Sequence, residues 1–160
     1  MLKLNFEFYM RELQLYIHKS DLYTKDDSDW YGLETDPHVT LLYGLHEDVN
    51  IDMVRSSLAV TKFRRVKIHN VSLFENDEFD VLKFDVKDDI VNHCNKVLKS
   101  LPHTEQYGDY QPHMTIAYLK PGLGKKYVDR FKGNEYWVAP LYINYSDSNN
   151  TYSKIDINVI

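Results

Sequence analysis

Two segments of the chain repeat one pattern. PHVTLLY at residues 37–43 and PHMTIAY at residues 112–118 both read Pro-His-apolar-Thr-apolar-apolar-Tyr. With each residue type near one in twenty, one such copy in this length has a chance probability on the order of 10⁻³. Two copies mark an internal repeat. The residue types can do chemistry. Imidazole changes charge near neutral pH, so one ring can accept a proton while another donates one. A hydroxyl can donate a hydrogen bond to an oxygen on which negative charge develops. Two imidazoles and two hydroxyls facing one another would suit a phosphate group, with a base and an acid on opposite sides of phosphorus.

Strand geometry sorts these side chains. Residues i and i+2 share a face, so His38 and Thr40 point one way, as do His113 and Thr115. Val39, Leu41 and Tyr43 point the other way, with Met114, Ile116 and Tyr118 as their counterparts. That second face reads as core, its tyrosines included. A lone His-x-Thr would read as a satisfied histidine beside a good strand former. Its recurrence in two equivalent halves favours a shared cleft instead. Pro37 and Pro112 suit a strand entry at a sheet edge or cleft rim, because proline lacks a donor and favours an extended residue before it.

The elements that must position these residues are mostly strands. Strands are expected at 11–18, 38–43, 65–74, 79–86, 113–119, 136–145 and 152–160. Within 65–74 the apolar parity switches after His69–Asn70, which predicts a bulge. The last two segments read as a closing hairpin around the polar turn 146–150, and residues 24–29 form a polar loop. Helices are expected at 51–59 with Asn50 as cap, at 89–101 with Asp88 or Asp89 as cap and Pro102 as stop, and at 124–132. The fold class is therefore α+β. One domain over residues 1–160 should carry two related lobes, roughly 11–85 and 86–160, whose antiparallel sheets line a central cleft with helices outside.

Bulk properties bound the partners. The 160 residues are 43% hydrophobic and 27% charged, as in ordinary soluble domains. The net charge of −5 argues against tracking long nucleic acid. Local basic clusters at Arg64, Arg65 and Lys67, and at Lys125 and Lys126, read as solvated charge. A single cysteine, Cys94, excludes an intrachain disulfide and reads as core. No signal peptide or membrane span is expected, which points to a cytoplasmic protein. His-Glu-x-x-His, P-loop and Gly-x-Ser-x-Gly motifs are absent. His18, His46, His69, His93 and His103 share no ligand spacing, so neither metal nor cofactor is expected. Trp30 and Trp137 are candidates for stacking on a base. Lys120 is a candidate for neutralising a phosphate, although strand parity places it with the core face.

The paired HVT (38–40) and HMT (113–115) resemble the two H-x-T/S motifs of the 2H phosphoesterase superfamily. That superfamily includes bacterial 2′-5′ RNA ligase-like proteins, plant cyclic phosphodiesterases and viral 2′,5′-phosphodiesterases. The resemblance runs from about residue 11 to the end. It implies that His38, Thr40, His113 and Thr115 are catalytic. The flanks PHVTLLYGL and QPHMTIAYLKPG look most like small phage-borne members, such as the anti-CBASS nucleases that destroy cyclic oligonucleotide immune signals. What the resemblance implies is a metal-independent phosphodiesterase acting on a small nucleotide, foremost a cyclic oligonucleotide. Alternatives are a 2′,3′-cyclic or 2′-5′ phosphodiesterase, an RNA-joining enzyme, or a protein that only sequesters its nucleotide.

Overall fold

A computed structural model describes residues 1–160. Ten strands and four α-helices build two four-stranded antiparallel sheets and one small parallel pair. The first sheet holds β1 (Leu2–Leu4), β2 (His38–Val39), β8 (Pro140–Ser146) and β9 (Tyr152–Ile155), in the order β2-β1-β8-β9. The second holds β4 (Val66–Glu75), β5 (Asp80–Val86), β6 (His113–Leu119) and β7 (Tyr136–Val138), in the order β6-β5-β4-β7. β3 (Lys62–Phe63) pairs in parallel with β10 (Asn158–Val159). Each repeated segment thus heads its own sheet, and the two heads, β2 and β6, lie against one another.

Local chemistry explains the elements. The β4–β5 turn closes on Asn76, whose side-chain oxygen accepts from the amides of Glu78 and Phe79. α2 (Ile51–Leu58) is capped by Asn50, which accepts from the Met53 amide. α3 (Asp89–Leu98) is capped by Asp88, which accepts from the Ile90 amide, and it buries Val91, Cys94, Asn95 and Leu98. α4 (Lys125–Arg130) follows Gly124. One cluster of 30 buried residues joins both sheets, with Leu2, Val39 and Ile143 from the first and Ile68, Phe84 and Met114 from the second.

The expected bulge in β4 is present. Register shifts between His69 and Val71, and Asn70 adopts a positive φ of 51°. Several expectations are corrected. Residues 11–18 are not a strand: α1 (Glu7–Gln14) and the turn after it occupy this region, burying Met10 and Leu13 on the helix and Ile17 in the turn while Leu15 is 79% exposed. The first repeated strand pairs only over His38–Val39. Residues 136–145 divide at Ala139 between two sheets, and 152–160 divide between β9 and β10.

The chain also splits between sheets differently from the halves 11–85 and 86–160. β4 and β5 pair beside the second repeated segment, and β8 and β9 complete the sheet of the first. Hydrophobic patterning identifies strands but carries no information on which strand is a neighbour, so this exchange is invisible in the sequence.

Candidate active site

The two histidines are held alike. Nδ1 of His38 bonds the carbonyl of Asp36 at 2.7 Å, and Nδ1 of His113 bonds the carbonyl of Gln111 at 2.9 Å. A carbonyl only accepts, so each Nδ1 carries a proton and each Nε2 is left free for proton transfer. The intervening Pro37 and Pro112 have a fixed φ and no amide of their own, which lets residue i offer its carbonyl to the ring of residue i+2. Val39, Leu41, Met114 and Ile116 are buried beneath, while His38, Thr40, His113 and Thr115 are half-buried.

Beyond Val39 the backbone leaves the sheet, and side chains take over its hydrogen bonds. The Tyr110 hydroxyl donates to the Thr40 carbonyl at 2.8 Å, and Asn95 Nδ2 donates to the buried Leu41 carbonyl at 2.7 Å. On β6 a second bulge appears. Leu82 faces Ala117 and Lys83 faces Thr115, so Ile116 has no partner on β5. The freed Ile116 carbonyl accepts from the Glu34 amide and from Gln14 Nε2, both at 3.0 Å.

A cleft of about 530 Å³ opens between the two segments, lined by Thr40, His113 and Thr115. His38 is not part of the lining; it stands beside it, two residues from Thr40. Two aromatic walls complete the space. Tyr43 and Tyr107 meet edge-on at 5.2 Å on one side, and Phe79 and Tyr118 at 5.4 Å on the other. The expectation that Tyr43 and Tyr118 belong to the core is corrected. The β6 bulge reverses parity and carries Tyr118 onto the face of His113 and Thr115. Tyr43 lies past the paired part of β2, next to the positive-φ turn at Gly44, and is 48% exposed.

Burial pulls both histidines below the ordinary histidine range. The backbone carbonyl raises each in turn. Around His38, Glu34 and Asp36 raise and Lys3 lowers; around His113, Lys83 and His38 lower and Asp85 raises. The two imidazoles are therefore close enough to feel one another's charge.

The other sequence candidates lie elsewhere. Trp30 is 77% exposed and Trp137, beside Lys67 on β7, is 59% exposed; neither lines the cleft. Lys120 also lies outside it, its Nζ donating to the Ser20 carbonyl. No group of three or more His, Cys, Asp or Glu side chains is arranged to hold a metal ion. Asn95, Tyr110, Tyr107 and the buried Lys83 were not found from sequence. Each occurs once, and only register and packing bring it to the site. The one legible hint was a lysine inside the apolar run VLKF.

The family model described as the 2′-5′ RNA ligase superfamily matches residues 9–132, well over half of the chain and including both Pro-His-x-Thr segments. No curated protein matches the chain.

Proposed function

This chain belongs to the 2′-5′ RNA ligase superfamily, the 2H phosphoesterases, and from that premise we propose that it is a metal-independent phosphodiesterase acting on a small nucleotide. Membership supports phosphodiesterase-type chemistry. One observation carries the assignment of residues: two Pro-His-x-Thr segments head facing sheets, each with its imidazole fixed through Nδ1.

In the proposed mechanism one histidine acts as base and the other as acid. With a 2′,3′-cyclic phosphate, the base takes a proton from water as its oxygen attacks phosphorus. The bond from phosphorus to one ribose oxygen breaks, and the acid protonates that oxygen. With a 3′-5′ linked ring, the neighbouring 2′-hydroxyl is the nucleophile and the 5′-oxygen leaves protonated. Thr40 and Thr115 donate hydrogen bonds to the non-bridging oxygens as their charge grows. Every proton moves between side chain and substrate, so the scheme needs no metal.

The cleft favours a small ligand carrying bases. Its volume lies within the roughly 300–1,000 Å³ of small-molecule sites, and bases stack on aromatic walls of this kind. Its lining lysine, Lys99, is already paired with Glu105 at 2.8 Å, and Asp109 adds negative charge. That suits one reacting phosphodiester better than a polyphosphate. We place cyclic oligonucleotide immune signals first, in a phage anti-CBASS role. The flanks of both segments support that placement through their likeness to phage-borne members. 2′,3′-cyclic phosphates and 2′-5′ linked oligonucleotides follow.

The test is a panel of cyclic dinucleotides, cyclic trinucleotides, 2′-5′ oligoadenylate and 2′,3′-cyclic nucleotides, with and without EDTA, with products identified by mass. Cleavage that survives EDTA is expected. Tight binding without cleavage would replace this reading with nucleotide sequestration.

A further inference from the structure

A charged pair lies inside the second sheet where the fold has no need of it. Lys83 is 4% exposed on β5, directly opposite Thr115, and Asp85 lies opposite His113. Directly paired residues share a sheet face, so both project on the side that forms the cleft. Nζ of Lys83 donates to Asp85 Oδ1 at 2.8 Å and to Ser72 Oγ at 2.7 Å, and sits 4.2 Å from the centre of the Phe74 ring. Phe74 in turn meets the His113 ring edge-on at 4.9 Å. Asp85 also accepts from Ser72 and from Asn70, the residue of the β4 bulge. The ammonium is thus locked in place by β4 and β5 beneath the second repeated segment.

Stability does not ask for this arrangement. Taking an ammonium out of water is costly, and an apolar residue of similar volume often serves a protein interior as well or better. The first sheet repeats the device: Lys3, also 4% exposed, lies opposite His38 on β1 and is paired with Asp36. A buried lysine, paired with a more exposed aspartate, behind each histidine matches a need of the site, because a protein of net charge −5 must attract an anion there.

We propose that Lys83 is a positioning residue for His113 and Thr115, its fixed positive charge setting the field in which a phosphate meets them. The proposal rests on the reading of His113 as a proton-transfer group and extends it to a charged residue that biases its protonation. The groups facing His113 are Phe74 from β4, Lys83 and Asp85 from β5, and His38 from β2. Among the charged ones, Lys83 and His38 disfavour the imidazolium and Asp85 favours it. Burial is the main cause that favours the neutral ring, and Lys83 adds to it, helping to keep His113 in the form that can act as a base.

The test follows the ring protons of His38 and His113 by NMR titration in the intact wild-type protein and in Lys83→Met, Asp85→Asn and Lys3→Met. Lys83→Met is expected to raise the His113 midpoint by on the order of one pH unit. Asp85→Asn is expected to lower it, and Lys3→Met to move His38 upward without raising His113, since a more basic His38 only disfavours the His113 imidazolium further. An unmoved His113 midpoint in Lys83→Met overturns the proposal, as does a shift of the same sign in both β5 variants, which would signal distortion. Should Lys83→Met fail to fold, Asp85→Asn decides alone, and a midpoint that does not fall overturns it. Turnover of 2′,3′-cyclic AMP supplies the second readout. Lys83→Met should lower kcat and move the pH profile with the NMR midpoint, and Lys83→Arg should restore both. The titrations need no substrate, so a wild-type protein that cleaves nothing would sink the phosphodiesterase reading and leave the charge test standing.

Discussion

At the scale of single residues, histidine and threonine should separate by the size of their effects. A positioned acid or base contributes about 10²–10⁴-fold, and a donor to a developing charge about 10²–10³-fold. His38→Ala and His113→Ala should each come close to abolishing turnover while nucleotide binding, followed by calorimetry, stays measurable. The double variant should be little worse than either single one, since both serve one proton-transfer scheme. Thr40→Ala and Thr115→Ala should retain more activity. A histidine variant that keeps more than about a tenth of the wild-type rate is not acting as an acid or base. The pH profile follows from the lowered basicity of both rings. The active form holds one proton on the pair, and it peaks between two midpoints that both lie below the ordinary histidine value of about 6.5. The kcat/KM optimum should therefore fall on the acidic side of that value. A bound phosphodiester anion favours imidazolium and raises both midpoints, so the kcat profile should be displaced to higher pH. An optimum for kcat/KM in the alkaline range would contradict the assignment. These four residues were legible because they are repeated. Lys83 and Asn95 were not, because a single lysine in an apolar run or a single asparagine on a helix acquires meaning only from what lies opposite.

At the scale of elements, the site depends on places where regular structure stops. β2 pairs over only two residues, and the next two carbonyls are held by Tyr110 and Asn95. Asn95→Leu keeps the branched shape but leaves the buried Leu41 carbonyl without a donor, which costs about 1–3 kcal/mol. Thermal denaturation should show that loss, and kcat should drop with it. Tyr110→Phe should spare stability more and act chiefly on kcat through the freed Thr40. If Asn95→Leu unfolds at the wild-type temperature, side-chain support of this segment is not what holds it. Two bulges show the limits of pattern reading. The one in β4 was visible because it switches apolar parity between Ile68 and Val71. The one in β6 places Ile116 and Ala117, both fully buried, side by side in an apolar run, where a parity change leaves no trace. The α1 region misled for a related reason: Leu13, Leu15 and Ile17 fit a period of two, and only burial shows that Met10, Leu13 and Ile17 are the set that packs.

At the scale of the whole molecule, charge sets the range of partners. A net charge of −5 predicts poor affinity for long RNA and a steep fall of that binding with added salt. Filter binding across a salt series checks this, and tight, salt-tolerant capture of a long RNA would overturn the small-ligand reading. No helix is long and apolar enough to cross a membrane. The α+β class and the cleft between antiparallel sheets could be anticipated from motif strands and helix caps. The distribution of strands between sheets could not, because it is decided by contacts between residues far apart in the chain.

That distribution has a consequence for biosynthesis. The sheet headed by β2 is completed by β8 and β9, so its strands come from the opening and the closing stretches of the chain. A ribosome delivers both His-x-Thr segments before Pro140 is made. Until then His38 sits at the end of a two-strand ribbon, which has little stability of its own. The span matched by the family model, residues 9–132, contains both motifs yet omits β1 and all of β7 to β10. Expressed alone, it should show no cooperative unfolding transition and no turnover, and cleavage by that fragment would prove the missing strands dispensable. Every reacting group is present in the nascent chain well before a cleft exists to hold them.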